Sequence, residues 1–159
     1  MKKATRSEEI TMSGQSDRNW YPCLFKSISD GRGSLTALEQ GEDIPFEIKR
    51  IYYIFGVPRD VRRGLHAHKR LSQMMIVMSG SCTILVDDGE TREEFRLDEP
   101  TSALFIGPCV WREMYDFSAN CVLVVIANEH YIEEDYIRNY DAFLEYRVRD
   151  AKGTGVRID

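Results

Sequence analysis

No apolar run in the chain approaches the roughly 20 residues that span a bilayer, so no membrane partner is expected. Nor is there a Cys-x-x-Cys pair among its four cysteines. Cys23, Cys82, Cys109 and Cys121 are widely separated, three of them in apolar or strand-like segments, and read as small buried residues of a reducing cytoplasm. Positive charge is not in excess either, since the net charge is −5, which argues against a general nucleic-acid binder. Helical periodicity is almost missing before residue 127. Histidine is scarce too: of three in the whole chain, two stand one residue apart, His66 and His68.

At 159 residues the chain is sized for one domain, which can bury roughly 70% of its unfolded surface without disulfides or a structural metal. Hydrophobic residues at 43% and charged residues at 30% fit an ordinary globular protein. Short apolar or alternating segments separated by turn signals predict strands near residues 23–28, 34–39, 49–55, 65–68, 73–79, 81–87, 91–97, 102–106, 110–116 and 121–127. Asp30-Gly31 and Asp88-Gly89 supply residues tolerant of positive φ, and Ser79-Gly80-Ser81 is a further tight connection. The expectation is an all-β sandwich or barrel. A short helix near 139–147 follows, with Tyr140, Phe143 and Leu144 on one face. Residues 1–19, polar and without the apolar core of a secretory signal, read as a flexible extension, 20–150 as the domain and 151–159 as a frayed tail.

On a strand, residues two apart project to the same face, so His66 and His68 present two imidazoles side by side. An incidental pair on an ordinary strand is the bland alternative. Arg59, Arg62, Arg63, Lys69 and Arg70 flank the pair, either as a solvated charged face or as a patch steering an anionic substrate.

The spacing His-x-His, four residues, Gln73, six residues, Gly80 is similar to the first motif of the cupin superfamily, with Gln73 where glutamate is usual. Gly107-Pro108-Cys109-Val110-Trp111-Arg112 loosely resembles the second, with Arg112 at the histidine position. Metal cupins hold their ion with that full set. Here an amide replaces the anion, and a guanidinium has no lone pair to give and repels a cation, so no metal and no cofactor are expected. Two imidazoles with ordinary pKa values near 6.5 can instead exchange protons at cellular pH, most naturally beside a carbonyl.

Arg63-Gly64-Leu65-His66-Ala67-His68-Lys69, Ser79-Gly80-Ser81-Cys82, Gly107 through Met114 and Asp135-Tyr136-Ile137-Arg138-Asn139-Tyr140 together resemble the WxcM-like sugar-nucleotide 3,4-ketoisomerases. The resemblance implies a cupin double-stranded β-helix, usually a homodimer, acting on dTDP-4-keto-6-deoxy-D-glucose and moving its keto group from carbon 4 to carbon 3 on the way to 3-amino-3,6-dideoxy sugars. His66 and His68 are then the catalytic pair. Arg32 and Tyr52 resemble active-site positions for the diphosphate, the sugar oxygens or the enediolate, against the plainer readings of a solvated turn residue and a strand-packing aromatic. At the Arg112 position the family carries histidine or arginine, paired with a change at the Arg32 position, and the two types give galacto or gluco products. With arginine at both, the pattern is mixed and leans to gluco.

Gln73 joins these as a substrate or stereochemistry candidate, and Trp111, Tyr131 and Tyr136 as aromatics for stacking on thymine or closing the pocket, although such residues are more often core. His130 reads as structural or exposed. A sugar-nucleotide 3,5-epimerase and a non-catalytic sugar-nucleotide-binding cupin are the competing readings.

Overall fold

Alternation and turn chemistry shape most of the chain. The computed structural model describes residues 18–153. Their elements are β1 (Trp20–Leu24), β2 (Ile28–Asp30), β3 (Gly33–Leu35), β4 (Arg50–Phe55), β5 (Arg63–His68), β6 (Gln73–Ser79), β7 (Cys82–Asp87), β8 (Arg92–Leu97), β9 (Ser102–Ile106), β10 (Trp111–Tyr115), β11 (Val122–Ala127), β12 (Tyr136–Ile137) and α1 (Tyr140–Gly153). One five-stranded sheet has the order β1-β9-β6-β11-β4 and a second the order β12-β5-β10-β7-β8, while β2 and β3 form a separate hairpin. Every strand pairing in the two sheets is antiparallel.

The two sheets face each other across the main core. Met75, Val77, Leu104, Leu123 and Val125 of the first interdigitate with Ile84, Val86 and Met114 of the second. The outer face of the first sheet is covered by Phe25 and Ile44 from the connecting segments. The outer face of the second is covered by α1, whose Phe143 packs on Ala67, Leu85 and Trp111. Asp88-Gly89 turns β7 into β8 as expected, with Gly89 at φ 90° and the Asp88 carboxylate accepting from the Glu90 and Thr91 amides.

Several boundaries differ from the sequence reading. The first strand begins at Trp20, not Cys23, because β1 is an edge strand, where Pro22 is tolerated, and Trp20 is buried in the core. The segment expected at 34–39 shortens to β3, paired only with β2. The helix runs to Gly153, three residues into the expected tail. Asn19 is tied down, its side chain donating to the Pro108 carbonyl at 3.0 Å, while residues 1–17 and 154–159 of the expected extension and tail lie outside the described residues. All four cysteines are free thiols, three of them buried.

Candidate active site

The site grows from an irregularity in β5. Gly64 (φ 84°) and Leu65 (φ 52°) are left-handed, and the β5–β10 register shifts between Arg112 and Glu113, a bulge that re-aims the residues following it. A Cβ on Gly64 would lie 2.8 Å from the Arg112 carbonyl oxygen, so the close approach of the two backbones requires glycine. Beyond the bulge His66 stands opposite Arg112 on β10, and His68 opposite Tyr136 on β12.

The imidazoles meet edge to face, Nε2 to Nε2 at 3.2 Å. His66 Nδ1 donates to the Gly64 carbonyl at 2.9 Å, and His68 Nδ1 lies 3.0 Å from Asp135 Oδ2. His68 is buried and His66 half-buried, with the Tyr136 ring packed against both. Arg138 lies over the outer face of Tyr136 and pairs with Glu133.

From the facing sheet, Tyr52 and Gln73 complete the wall. The Gln73 amide donates to the Tyr52 hydroxyl at 2.9 Å, and its oxygen accepts from Arg112 Nη1 at 3.2 Å, linking one sheet to the other. Arg112 is fully buried, and among the described residues its Nε and Nη2 find no partner. A buried cation with two free N–H groups beside an imidazole pair is an anion-stabilising device. Among the described residues no set of three or more His, Cys, Asp or Glu side chains is gathered to hold a metal ion.

Burial and then the Arg112 cation push His66 down to about 4, and the same two causes, followed by His66 itself, push His68 lower still. Both rings are therefore neutral, and able to act as bases, at cellular pH. Burial raises the Tyr52 phenol and lowers Arg112 to about 10, which leaves the guanidinium charged at neutral pH.

The structure thus brings together His66, His68, Tyr52, Gln73 and Arg112. Trp111 is not with them: alternation along β10 turns it to the opposite face from Arg112, under α1 and edge-on to Tyr140. Arg32 sits at the exposed tip of the β2–β3 hairpin, paired with Asp30. Tyr131 is exposed at the rim, its ring 5.6 Å from that of Tyr136, and His130 is exposed. Of the flanking basic residues, Arg62 pairs with Glu113 and Arg70 with Asp135.

Sequence reading missed two members. Arg50, on the same face of β4 as Tyr52, has a buried Nε without a partner among the described residues and lies 5.1 Å over the Tyr52 ring. Asp135 was visible only inside the Asp-Tyr-Ile-Arg-Asn-Tyr signature. β12 is too short to announce itself, so nothing linked that carboxylate to His68.

Two opposed antiparallel sheets enclosing a histidine pair, an amide and a buried arginine define a cupin barrel whose site is equipped for proton transfer. Its family follows from comparison: residues 21–148 match the family model FdtA, described as WxcM-like, C-terminal, and the chain belongs to that family. A TDP-4-oxo-6-deoxy-α-D-glucose-3,4-oxoisomerase of Aneurinibacillus thermoaerophilus is 51% identical over 122 residues, 77% of this chain and 88% of that protein. Among solved structures, a histidine-to-asparagine variant of the 3,4-ketoisomerase QdtA of Thermoanaerobacterium thermosaccharolyticum, in complex with TDP-4-keto-6-deoxyglucose, superposes with a TM-score of 0.79 at 44% identity, covering 87% of this chain and 98% of that one. The TDP-quinovose 3,4-ketoisomerase WlaRB of Campylobacter jejuni gives a TM-score of 0.77 at 48% identity over 80% of this chain and 98% of its own.

Proposed function

We propose that the chain is a sugar-nucleotide 3,4-ketoisomerase that converts dTDP-4-keto-6-deoxy-D-glucose into a dTDP-3-keto-6-deoxyhexose, feeding the formation of 3-amino-3,6-dideoxy sugars. The observation that carries this reading is the pair of imidazoles in contact opposite Arg112 inside the barrel of this chain, which is 51% identical to a TDP-sugar 3,4-oxoisomerase over 122 residues. One histidine takes the proton from carbon 3, next to the carbon 4 carbonyl, and the electron pair left behind forms the double bond of an enediolate. The proton on the carbon 3 oxygen crosses to the carbon 4 oxygen. Carbon 4 then takes up a proton as the carbonyl forms at carbon 3. Arg112 and Arg50, with their free buried N–H groups, stabilise the oxygen anion, and Tyr52 and Gln73 orient the sugar.

The gluco product is the one we favour. Residue 112 lacks a titratable imidazole, and the C. jejuni TDP-quinovose ketoisomerase, whose sugar name is that of 6-deoxyglucose, is 48% identical.

The working molecule is proposed as a cytoplasmic homodimer. β4 is an edge strand whose outer face exposes Ile51, Tyr53 and Phe55, and the unattached hairpin exposes Ile28 and Leu35, apolar side chains that a subunit contact would cover. Exchange of this N-terminal segment would bring Arg32 to the partner's site and give that residue its substrate role.

The decisive assay incubates the pure protein with dTDP-4-keto-6-deoxy-D-glucose and a sugar-nucleotide 3-aminotransferase in deuterium oxide. NMR should show a 3-amino sugar labelled at carbon 4. Label at carbon 5 without an amino sugar would overturn the reading in favour of a 3,5-epimerase.

A further inference from the structure

The histidine pair has two outward nitrogens, and the partner of each decides where its proton sits. A backbone carbonyl only accepts, so the Gly64 oxygen fixes His66 with its proton on Nδ1. A carboxylate only accepts as well. Asp135 meets His68 Nδ1 through Oδ2 and is itself held in place by the Leu71 amide on Oδ2 at 3.3 Å and the Arg70 amide on Oδ1 at 2.9 Å. Its own amide and carbonyl are engaged too, by the Ile132 carbonyl and the Lys69 amide. The carboxylate is buried and cannot turn away.

With both Nδ1 atoms protonated, the two Nε2 atoms direct lone pairs at each other across 3.2 Å. That contact becomes a hydrogen bond only when one further proton lies between them. The neutral pair is therefore set to accept a single proton, which either ring can hold. The other tautomer of His68, protonated on Nε2, would donate into the His66 lone pair and block it.

We infer that Asp135 is a positioning residue of the ketoisomerisation proposed above, holding His68 as its Nδ1–H tautomer so that both Nε2 lone pairs stay open for the migrating proton. The inference rests on the reading that this pair moves the proton. It gives the Asp135–Tyr136 dipeptide two separate tasks: the carboxylate sets the tautomer of His68, and the tyrosine ring packs on both imidazoles.

The test has two arms. Long-range 1H–15N NMR of the labelled wild-type protein, without substrate, should show His68 protonated on Nδ1 and bare on Nε2. Asp135→Asn presents an amide that can donate to Nδ1, and should convert a measurable fraction of His68 to the Nε2–H form. In the coupled assay kcat should fall on the order of 100-fold, the scale of a lost general acid/base, with KM and TDP affinity held within about threefold. Wild-type His68 protonated on Nε2 would overturn the inference even if Asp135→Asn fails to fold. So would an unchanged kcat in a folded variant whose tautomer has shifted. Failure of the ketoisomerase reading looks different: the wild-type protein itself gives no amino sugar while the NMR arm stands.

Discussion

At the level of single residues, Arg112 stands out because, among the described residues, it is the one permanently charged group buried to completion inside the barrel. It lies opposite His66 and is the second cause, after burial, of that histidine's low pKa. Removing the cation removes a repulsion against the protonated ring, so Arg112→Met should raise the His66 pKa from about 4 toward its ordinary value. The sign follows for catalysis. A base must be neutral, so the acid limb of kcat/KM for the wild-type protein falls as pH drops through about 4, and in the variant the fall begins at higher pH. An NMR titration of the His66 ring reads the same shift without turnover; a limb and a titration left in place would refute the account. His66, His68, Gln73 and Arg112 were all legible in the sequence because the two histidines keep the spacing of a metal-binding relative while Gln73 and Arg112 stand where such a relative has its other ligands. Arg50 and Asp135 were not, since one sits on an ordinary-looking strand and the other reaches His68 only through a contact 67 residues apart in the chain.

Among the elements, β5 carries the most consequence in its six residues. The left-handed Gly64 lets the β10 backbone approach and supplies the carbonyl that orients His66. Gly64→Ala puts a Cβ 2.8 Å from the Arg112 oxygen on a backbone of positive φ, which forces the bulge to open. Stability to urea should drop by about 1–3 kcal/mol, with kcat reduced because both imidazoles hang from the displaced strand. A variant with wild-type stability and turnover would show that the bulge does not aim the pair. Sequence patterning found β6, β8 and β9 because alternation, apolar content or an Asp-Gly turn marks them. It misplaced β1, where Pro22 argues against a strand and only an edge position accommodates it. It stopped the helix too early because residues 148–153 carry little apolar period, and α1 is held instead through its first turns, by Phe143 in the outer core and Tyr140 on the Asp87 carboxylate.

For the molecule as a whole, Arg32 stands apart, on a hairpin outside both sheets. Its hairpin pairs with neither main sheet, and its guanidinium is spent on Asp30 in a fully exposed turn, where such a pair contributes little. An exposed apolar edge strand and a hairpin attached to neither sheet are features that segment exchange in the proposed dimer would bury. Subunit complementation decides it. If the proposed dimer exchanges its hairpins, Arg32→Ala and His66→Asn should each be nearly inactive when purified alone. When the two are unfolded together and refolded, a mixed dimer with exchanged hairpins contains one site in which an intact His66 meets the intact Arg32 of the other subunit. About half of the refolded molecules are mixed, and each has one working site of two, so activity should recover to about a quarter of the wild-type level. If Arg32 serves its own subunit, every site in the mixture lacks one residue or the other and no activity returns.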